Sequence, residues 1–306
     1  MYKTNFDFVV EKAKAAEKPI RVAIAGADVE NILHGAFRAE ADGFAELILV
    51  GNEAKIIEML KNLSLLSRKY TIVNVEEDKN VVQASIDLIK AGKADVLMRG
   101  NTQTRDFLLP ILDKSNDLIE KGKLLTHINM LKMPDYGRIL AISDVTIIPN
   151  PDINQRKQII QNLVGTLKVL GYDHPNIAIL ALVEKPTFHL VGTVEAQTIV
   201  LDHKEKPIAD CELVGPIAYD LIISKEAARL KNYDCPYCGE FDGIVTPNLL
   251  AGNILVKALQ MHGHASSCGV IVGANIPIAI TSRSDTDEQA YLSLAVCAAL
   301  PEHHID

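Results

Sequence analysis

Short apolar runs rich in β-branched residues alternate along the chain with longer stretches whose apolar residues recur at helical spacing. This alternation predicts β-α-β units, and therefore parallel-rich sheets with helices on both faces. The predicted strands are 22–25, 47–50, 70–75, 95–98, 177–183, 243–245, 270–272 and 278–280. The predicted helices include 29–39, 80–90, 153–170, 219–231, 248–261 and 288–299.

The pattern restarts after Pro149-Asn150-Pro151, which predicts two α/β lobes divided near residues 142–150. A chain of 306 residues is long enough for two medium domains, each with its own core. In such folds the functional residues gather at the carboxyl ends of strands, where loops lead into helices. We therefore expect the functional side chains to lie in the strand-to-helix turns.

The charge balance limits the possible partners. With 31 Lys+Arg and 39 Asp+Glu the net charge is −8, which disfavours a nucleic-acid or anionic-membrane surface. No apolar run reaches the roughly 20 residues that span a bilayer. The N-terminal sequence lacks the charged start and apolar core of a signal peptide, so we expect a cytoplasmic protein.

The sequence PIAITSRSD ends a predicted strand with an arginine between two serines, just before a predicted helix. Arg283 can grip a phosphate through two parallel hydrogen bonds, and Ser282 and Ser284 can add hydroxyl contacts. Helix capping is the alternative, with Asp287 and Glu288 in the first helical turn, but capping needs one such residue and does not explain the arginine. We therefore predict a cradle for inorganic phosphate.

The turn Arg99-Gly100-Asn101-Thr102-Gln103-Thr104 has a similar design. Gly100 lets the backbone approach a ligand, and Thr102 or Thr104 can cap the following helix. Arg99 places a fixed charge at the positive end of that helix, which suits an anion. A capped helix with a surface arginine explains the same residues, so both interpretations stay open.

Two further turns supply candidate ligand contacts. Asn248 begins a predicted helix and Asn253 lies inside it, and both could offer amides to a ligand, while Gly252 indicates close packing there. Ser143 and Asp144 follow an apolar strand at the proposed lobe boundary.

The five cysteines are few and odd in number, which disfavours a disulfide framework. Cys235 and Cys238 spell C-P-Y-C, but the pair follows a helix rather than opening one, which disfavours redox catalysis. A zinc site would need two more ligands, for which the candidates are Cys268, His262 and His264. A reduced surface thiol pair is the favoured interpretation.

His127 lies on a predicted strand, which favours a hydrogen-bonded core histidine over a general base. The sequence has no GxGxxG, Walker A or Ser-His-Asp spelling, so nucleotide-binding and hydrolase classes are disfavoured.

These turns, in this order, resemble the phosphate acetyltransferase/butyryltransferase family, and the butyryltransferase branch in particular. The resemblance covers nearly the whole chain and is most specific in the C-terminal third. It is carried by VAIAGADVENIL, AELILVGNEAKI, LMRGNTQT, SDVTIIPNPD, VGPIAYDLIISKEAA, DGIVTPNLLAGNILVKAL, GVIVGANIPIAITSRSD and YLSLAVCAAL.

The resemblance implies an enzyme that interconverts acyl-CoA and inorganic phosphate with acyl phosphate and CoA, without a prosthetic group or metal. Butyryl or branched short chains are the implied acyl groups, and a homodimer or higher homo-oligomer is the implied assembly. The implied fold is similar to isocitrate and isopropylmalate dehydrogenases, with the active site in a cleft between the lobes. One lobe would comprise 1–141 plus 280–306, and the other 142–279.

Residue roles carry over from the resemblance in part. Ser282 and Arg283 match the family's phosphoryl-binding pair, and Arg99 falls where the butyryltransferase branch often has lysine. Gln289 takes the place of the family's catalytic carboxylate, so Asp287 is the expected substitute, with the neighbouring acids Asp285 and Glu288 left open. The expected substrate-binding residues are Gly100, Thr102, Ser143, Asp144, Asn248, Asn253 and Ser284.

Three alternatives remain from the sequence. An acyl-carrier-protein:phosphate acyltransferase would share the half-reaction with another donor. A non-catalytic sensor of CoA or acyl phosphate would explain Gln289. A dehydrogenase is weaker, because no aspartate cluster for its metal is evident.

Overall fold

The computed structural model describes residues 3–282 and 285–300, so Arg283 and Ser284 lie outside the described residues. The helices are α1 (Asp7–Lys14), α2 (Glu30–Ala41), α3 (Glu53–Asn62), α4 (Val81–Lys90), α5 (Thr104–Leu112), α6 (Ile153–Val169), α7 (Val191–Glu205), α8 (Tyr219–Ile223), α9 (Lys225–Lys231), α10 (Leu249–Met261) and α11 (Asp287–Ala299). The strands are β1 (Ile20–Ala25), β2 (Ala45–Gly51), β3 (Thr71–Asn74), β4 (Val96–Arg99), β5 (Thr126–Lys132), β6 (Ile139–Ser143), β7 (Asn176–Leu180), β8 (Glu212–Ile217), β9 (Gly243–Val245), β10 (Ser266–Val272) and β11 (Ile278–Ala279).

The chain divides into two compact units. The first unit comprises residues 7–123 together with 268–282 and 285–300, and the second comprises 3–6 and 124–267. The sequence places the boundaries at 142 and 279 instead. Residue 142 lies inside β6, whose antiparallel pairing with β5 keeps both strands in the second unit.

The sheet of the first unit has the strand order β3-β2-β1-β4-β11-β10, where β10 contributes residues 268–272. Its pairs are parallel except β10 with β11. β4 is buried along its whole length and β1 at all but Arg21, the pattern of central parallel strands covered on both faces. The carboxyl ends of β4 and β11, which are parallel neighbours, therefore meet at one edge.

The sheet of the second unit has the order β5-β6-β9-β7-β8, and only the β5–β6 pair is antiparallel among these strands. The predicted mixed α/β fold with mostly parallel strands is confirmed. The predicted helix 219–231 is two helices, because the Ser224 side chain accepts a hydrogen bond from the Ala227 N–H and starts α9. Of the helices described, none has the length and apolarity needed to cross a membrane.

Candidate active site

The turn after β4 lies directly on the end of β1. The Gly100 N–H donates to the Ala25 carbonyl at 3.0 Å, and the Asn101 N–H donates to the Gly26 carbonyl at 2.7 Å. A Cβ on Gly100 would lie 2.1 Å from the Gly26 oxygen. Contact between two backbone segments therefore accounts for this glycine, and its approach to a ligand stays a prediction.

Replacing Gly100 with alanine is expected to destabilise the first unit by about 1–3 kcal/mol, the usual cost of overpacking, because backbone must move to admit the methyl group. Gly137→Ala is the matched control, since a Cβ there meets nothing within 4 Å. Urea unfolding of the two variants would measure the difference. Equal stabilities would show that β1 and the turn are not held as closely as described.

Arg99 is buried, with 7% of its surface exposed. Its guanidinium donates to the Thr102 carbonyl at 2.7 and 3.1 Å and to the Thr281 carbonyl at 3.1 Å. These bonds join the turn after β4 to the chain that leaves β11, and they hold a positive charge beside Ser282. Arg99 is thus placed to act through its charge and its hold on both turns, rather than as a free phosphate clamp.

The expected capping role of Thr102 or Thr104 is wrong. Helix α5 begins at Thr104, with Gln103 at the N-cap position and no side-chain cap bond. The Thr102 hydroxyl is buried and has no hydrogen-bond partner among the described residues. The capping interpretation does not account for this hydroxyl, and its contact with a ligand stays a prediction.

Before α11, the helix cap and the hydrogen bond of Ser282 involve different residues. The cap of α11 is Thr286, whose hydroxyl accepts from the Gln289 N–H, while the Gln289 side chain accepts from the Thr286 N–H at 2.7 Å. Ser282 and Asp285 form a separate turn, in which the Ser282 N–H donates to the Asp285 carboxylate at 2.7 Å. Capping therefore does not account for Ser282. The sequence T-D-E-Q at 286–289 matches the capping-box motif S/T-x-x-E/Q, which was not predicted.

The acidic residues around this turn differ in whether their carboxylates already have a partner. Glu288 forms an ion pair with Arg38, whose guanidinium lies 3.9 Å from the centre of the Tyr291 ring. Asp285 is occupied by the Ser282 N–H. Asp287 is exposed at the start of α11, and no described side chain pairs with its carboxylate. Asp287 is therefore the most available acid among the three candidates.

In the second unit, Asp144 binds its own loop. Its carboxylate is 2% exposed and accepts five backbone N–H bonds of 2.5–3.3 Å. Burial raises the pKa of Asp144, while these donors favour the charged form and act in the opposite direction. Asp144 thus positions the loop after β6, and its contact with a substrate stays a prediction. The donors are His127, Val145, Thr146, Ile147 and Ile148.

His127 is a hydrogen-bonded buried residue, as the sequence predicted. Its Nδ1 lies 2.6 Å from the Thr146 hydroxyl, and 7% of its surface is exposed. Ser143, at the end of β6, is fully buried, and its hydroxyl has no partner in the part of the chain described. A ligand or a bound water is the expected partner of such a group.

The two asparagines form hydrogen bonds with α10 and with the loop after β6. The Asn248 side chain caps α10 by accepting from the Ala251 N–H at 2.9 Å, and the Asn253 amide donates to the Val145 carbonyl at 3.2 Å. A Cβ on Gly252 would lie 2.5 Å from the Asp144 carbonyl oxygen, which confirms the close packing predicted there. Substrate contacts of these asparagines stay predictions.

The cysteine pair departs from the sequence interpretation at one position. Cys238 is buried, at 2% exposed, so the expected surface pair is wrong for this residue, whereas Cys235 is half-buried. Within residues 3–282 and 285–300, no three or more His, Cys, Asp or Glu side chains are grouped so that they could hold a metal ion.

Comparison with known proteins identifies the family. The model of the phosphate acetyl/butaryl transferase family matches residues 79–298, well over half of the sequence, and the chain belongs to this family. Phosphate butyryltransferase of Clostridium acetobutylicum is 29% identical, over 96% of this chain and 97% of its own length. Phosphate acetyltransferase of Rhizobium meliloti is 31% identical, over 96% and 93% respectively. A branched-chain phosphotransacylase from Enterococcus faecalis has the same fold, with a TM-score of 0.80 and 29% identity, over 93% of this chain and 100% of its own.

Proposed function

We propose that this chain transfers a short acyl group reversibly between CoA and inorganic phosphate, by direct transfer in a ternary complex. Its relatives include proteins named phosphate butyryltransferase, phosphate acetyltransferase and branched-chain phosphotransacylase. The observation that carries the proposal is the chain that leaves β11, where the buried guanidinium of Arg99 donates to the Thr281 carbonyl, directly before Ser282 and ahead of the capping box formed by Thr286 and Gln289.

In the proposed reaction a phosphate oxygen attacks the thioester carbonyl carbon and forms a tetrahedral oxyanion. The C–S bond then breaks, the acyl phosphate forms, and CoA leaves as a thiolate that takes up the proton lost by the attacking phosphate. Ser282 and Arg283 hold the phosphate, and Arg99 adds a fixed positive charge that favours the oxyanion. Holding both substrates together lowers the barrier by up to roughly 7–11 kcal/mol. We propose that the reaction runs without a cofactor, because its steps are addition, elimination and proton transfer, for which the scheme uses only protein side chains and the two substrates.

In the reverse direction the CoA thiol must lose its proton, because the thiolate is the nucleophile. We assign this proton to Asp287, the acid without a pairing side chain among those described. Asp287→Asn is expected to lower kcat for acyl-CoA synthesis about 10²-fold, the lower end of general-base effects. Initial rates with acyl phosphate and CoA would measure it.

Glu288→Gln is the control for Asp287, since Glu288 is adjacent and already paired with Arg38. We expect less than about a threefold change in that variant, because a surface ion pair contributes little. If Glu288→Gln lost more activity than Asp287→Asn, the base would be misassigned.

Butyryl and branched short chains are the proposed acyl groups, following the names of the relatives. A cytoplasmic location and a dimeric or larger assembly are part of the same proposal. The cleft between lobes and the likeness to isocitrate and isopropylmalate dehydrogenases stay predictions of the resemblance.

The sensor alternative rested on Gln289, and the capping box of α11 now supplies a structural reason for that amide.

A donor series tests this function. Release of CoA from acetyl-, butyryl-, isobutyryl- and octanoyl-CoA would be followed with a thiol reagent, with and without phosphate. We expect release to require phosphate and to be fastest with butyryl- or isobutyryl-CoA. Activity with an acyl carrier protein thioester, and none with CoA thioesters, would instead identify the carrier-protein enzyme.

A further inference from the structure

Cys235 and Cys238 lie in the turn between α9 and β9. The Cys238 N–H donates to the Cys235 carbonyl at 3.4 Å. A turn closed in this way keeps its end Cα atoms within about 7 Å. A disulfide requires a Cα separation of no more than about 7 Å. The turn therefore brings the two backbones close enough for a disulfide between Cys235 and Cys238.

The structure on both sides fixes this turn. The Gly239 N–H donates to the Ile222 carbonyl at 3.1 Å, and the Glu240 N–H donates to the Tyr237 carbonyl at 2.8 Å. Gly239 has a φ of +72°, and a Cβ there would lie 2.9 Å from the Lys225 side chain. The Cys238 side chain belongs to the same apolar cluster as Phe241. The proximity of the thiols is thus a property of the packed unit.

The two thiols differ in access, which assigns them different roles. Cys235 is half-buried, whereas Cys238 is only 2% exposed, so we expect a small reagent to reach Cys235 first. Burial, together with the neighbouring Cys235, raises the pKa of Cys238 to about 12. A thiol of that kind resolves a mixed disulfide slowly, which suits a stoichiometric modification better than repeated thiol transfer.

A second pair provides an internal contrast. Burial, and to a smaller extent the neighbouring Cys297, raises the pKa of Cys268, and burial raises the pKa of Cys297. The exposed fractions of these two residues are only 2% and 0%. We therefore expect this pair to be unreactive, since a reagent must reach at least one of the two thiols.

We infer that Cys235 and Cys238 form a reversible intramolecular disulfide, an oxidative modification site whose co-reactant is a low-molecular-weight disulfide. The Cys235 thiolate attacks one sulfur of the oxidant and releases the first small thiol. Cys238 then loses its proton and attacks the Cys235 sulfur, and the second small thiol leaves. The protein loses two protons and two electrons, and the oxidant is reduced to two thiols.

The test uses the full-length chain, reduced and then incubated with glutathione disulfide. Aliquots are unfolded, alkylated and weighed by intact mass spectrometry, and the modified peptides are mapped. We expect the alkylatable cysteines to fall from the five in the sequence to three, with Cys235 and Cys238 joined. Dithiothreitol is expected to restore all five.

Two variants separate the steps. Cys238→Ser is expected to retain one glutathione on Cys235, and Cys235→Ser is expected to slow the loss of thiols about tenfold or more. The Cys268 and Cys297 peptides serve as the unreactive reference. A wild-type protein that stays glutathionylated on Cys235 without closing the disulfide would overturn the inference, as would a folded protein whose Cys235 does not react.

Discussion

Replacing Arg283 with alanine is expected to lower kcat about 10²–10³-fold, the usual cost of removing one electrostatic stabiliser of a transition state. The variant loses the proposed bidentate grip on phosphate, while the groups that would bind CoA are unchanged. The Michaelis constant for phosphate should therefore rise, and the affinity for CoA should stay within about threefold. Steady-state kinetics in both directions and calorimetric titration with CoA would separate these effects.

Two further arginine variants make this prediction specific. Arg283→Lys retains the charge without the planar fork, so we expect it to recover only part of the lost rate. Arg229→Ala removes an exposed arginine that pairs with Glu226 on α9, and it should behave like the wild type. If the phosphate dependence of Arg283→Ala matched that of the wild type, the phosphate cradle would be misassigned.

Replacing Asp144 with alanine is expected to lower the free energy of unfolding by about 3–5 kcal/mol. The substitution removes the acceptor of five backbone N–H groups, and each buried donor without a partner costs about 1–3 kcal/mol before water or local rearrangement relieves it. Because the released loop packs against Gly252 and Asn253, activity should fall as well. Urea unfolding and initial rates would measure both effects.

Asp144→Asn and Asp113→Ala provide the comparison. Both oxygens of the Asp144 carboxylate accept hydrogen bonds, so an asparagine would turn its NH₂ group towards N–H donors and recover little of the stability. Asp113 is exposed and accepts from the Ser115 N–H, so its loss should change stability only slightly. An Asp144→Ala protein within about 1 kcal/mol of the wild type would contradict the positioning role.

Periodicity and turn chemistry predicted much of the fold, because buried parallel strands and amphipathic helices leave strong local patterns. β1 and β4 are found where the apolar runs placed them, to within a few residues. The β5–β6 hairpin was not foreseen, since its pairing depends on contacts that a local pattern does not contain. The break at Ser224 was also missed, although serine is a common helix cap and could have indicated it.

The sequence predicted which turns contain the candidate site residues, but it predicted less well what each of those residues contacts. Arg99, Gly100 and Asp144 were identified as ligand contacts, yet each has an internal partner: two backbone carbonyls, the Gly26 backbone and five amides, respectively. Sequence spacing shows which side chains lie at a strand end. It does not show which of them bind other parts of the protein and not a ligand. The capping box of Thr286 and Gln289 could have been recognised from its spelling.

Phosphorus NMR of the purified protein with butyryl-CoA and inorganic phosphate tests the central claim most directly. We expect an acyl phosphate resonance to grow as the phosphate resonance declines, with one CoA released for each acyl phosphate formed. Adding CoA to the product should reverse the change. Release of CoA without acyl phosphate, or no reaction by the folded protein with any short acyl-CoA, would contradict it.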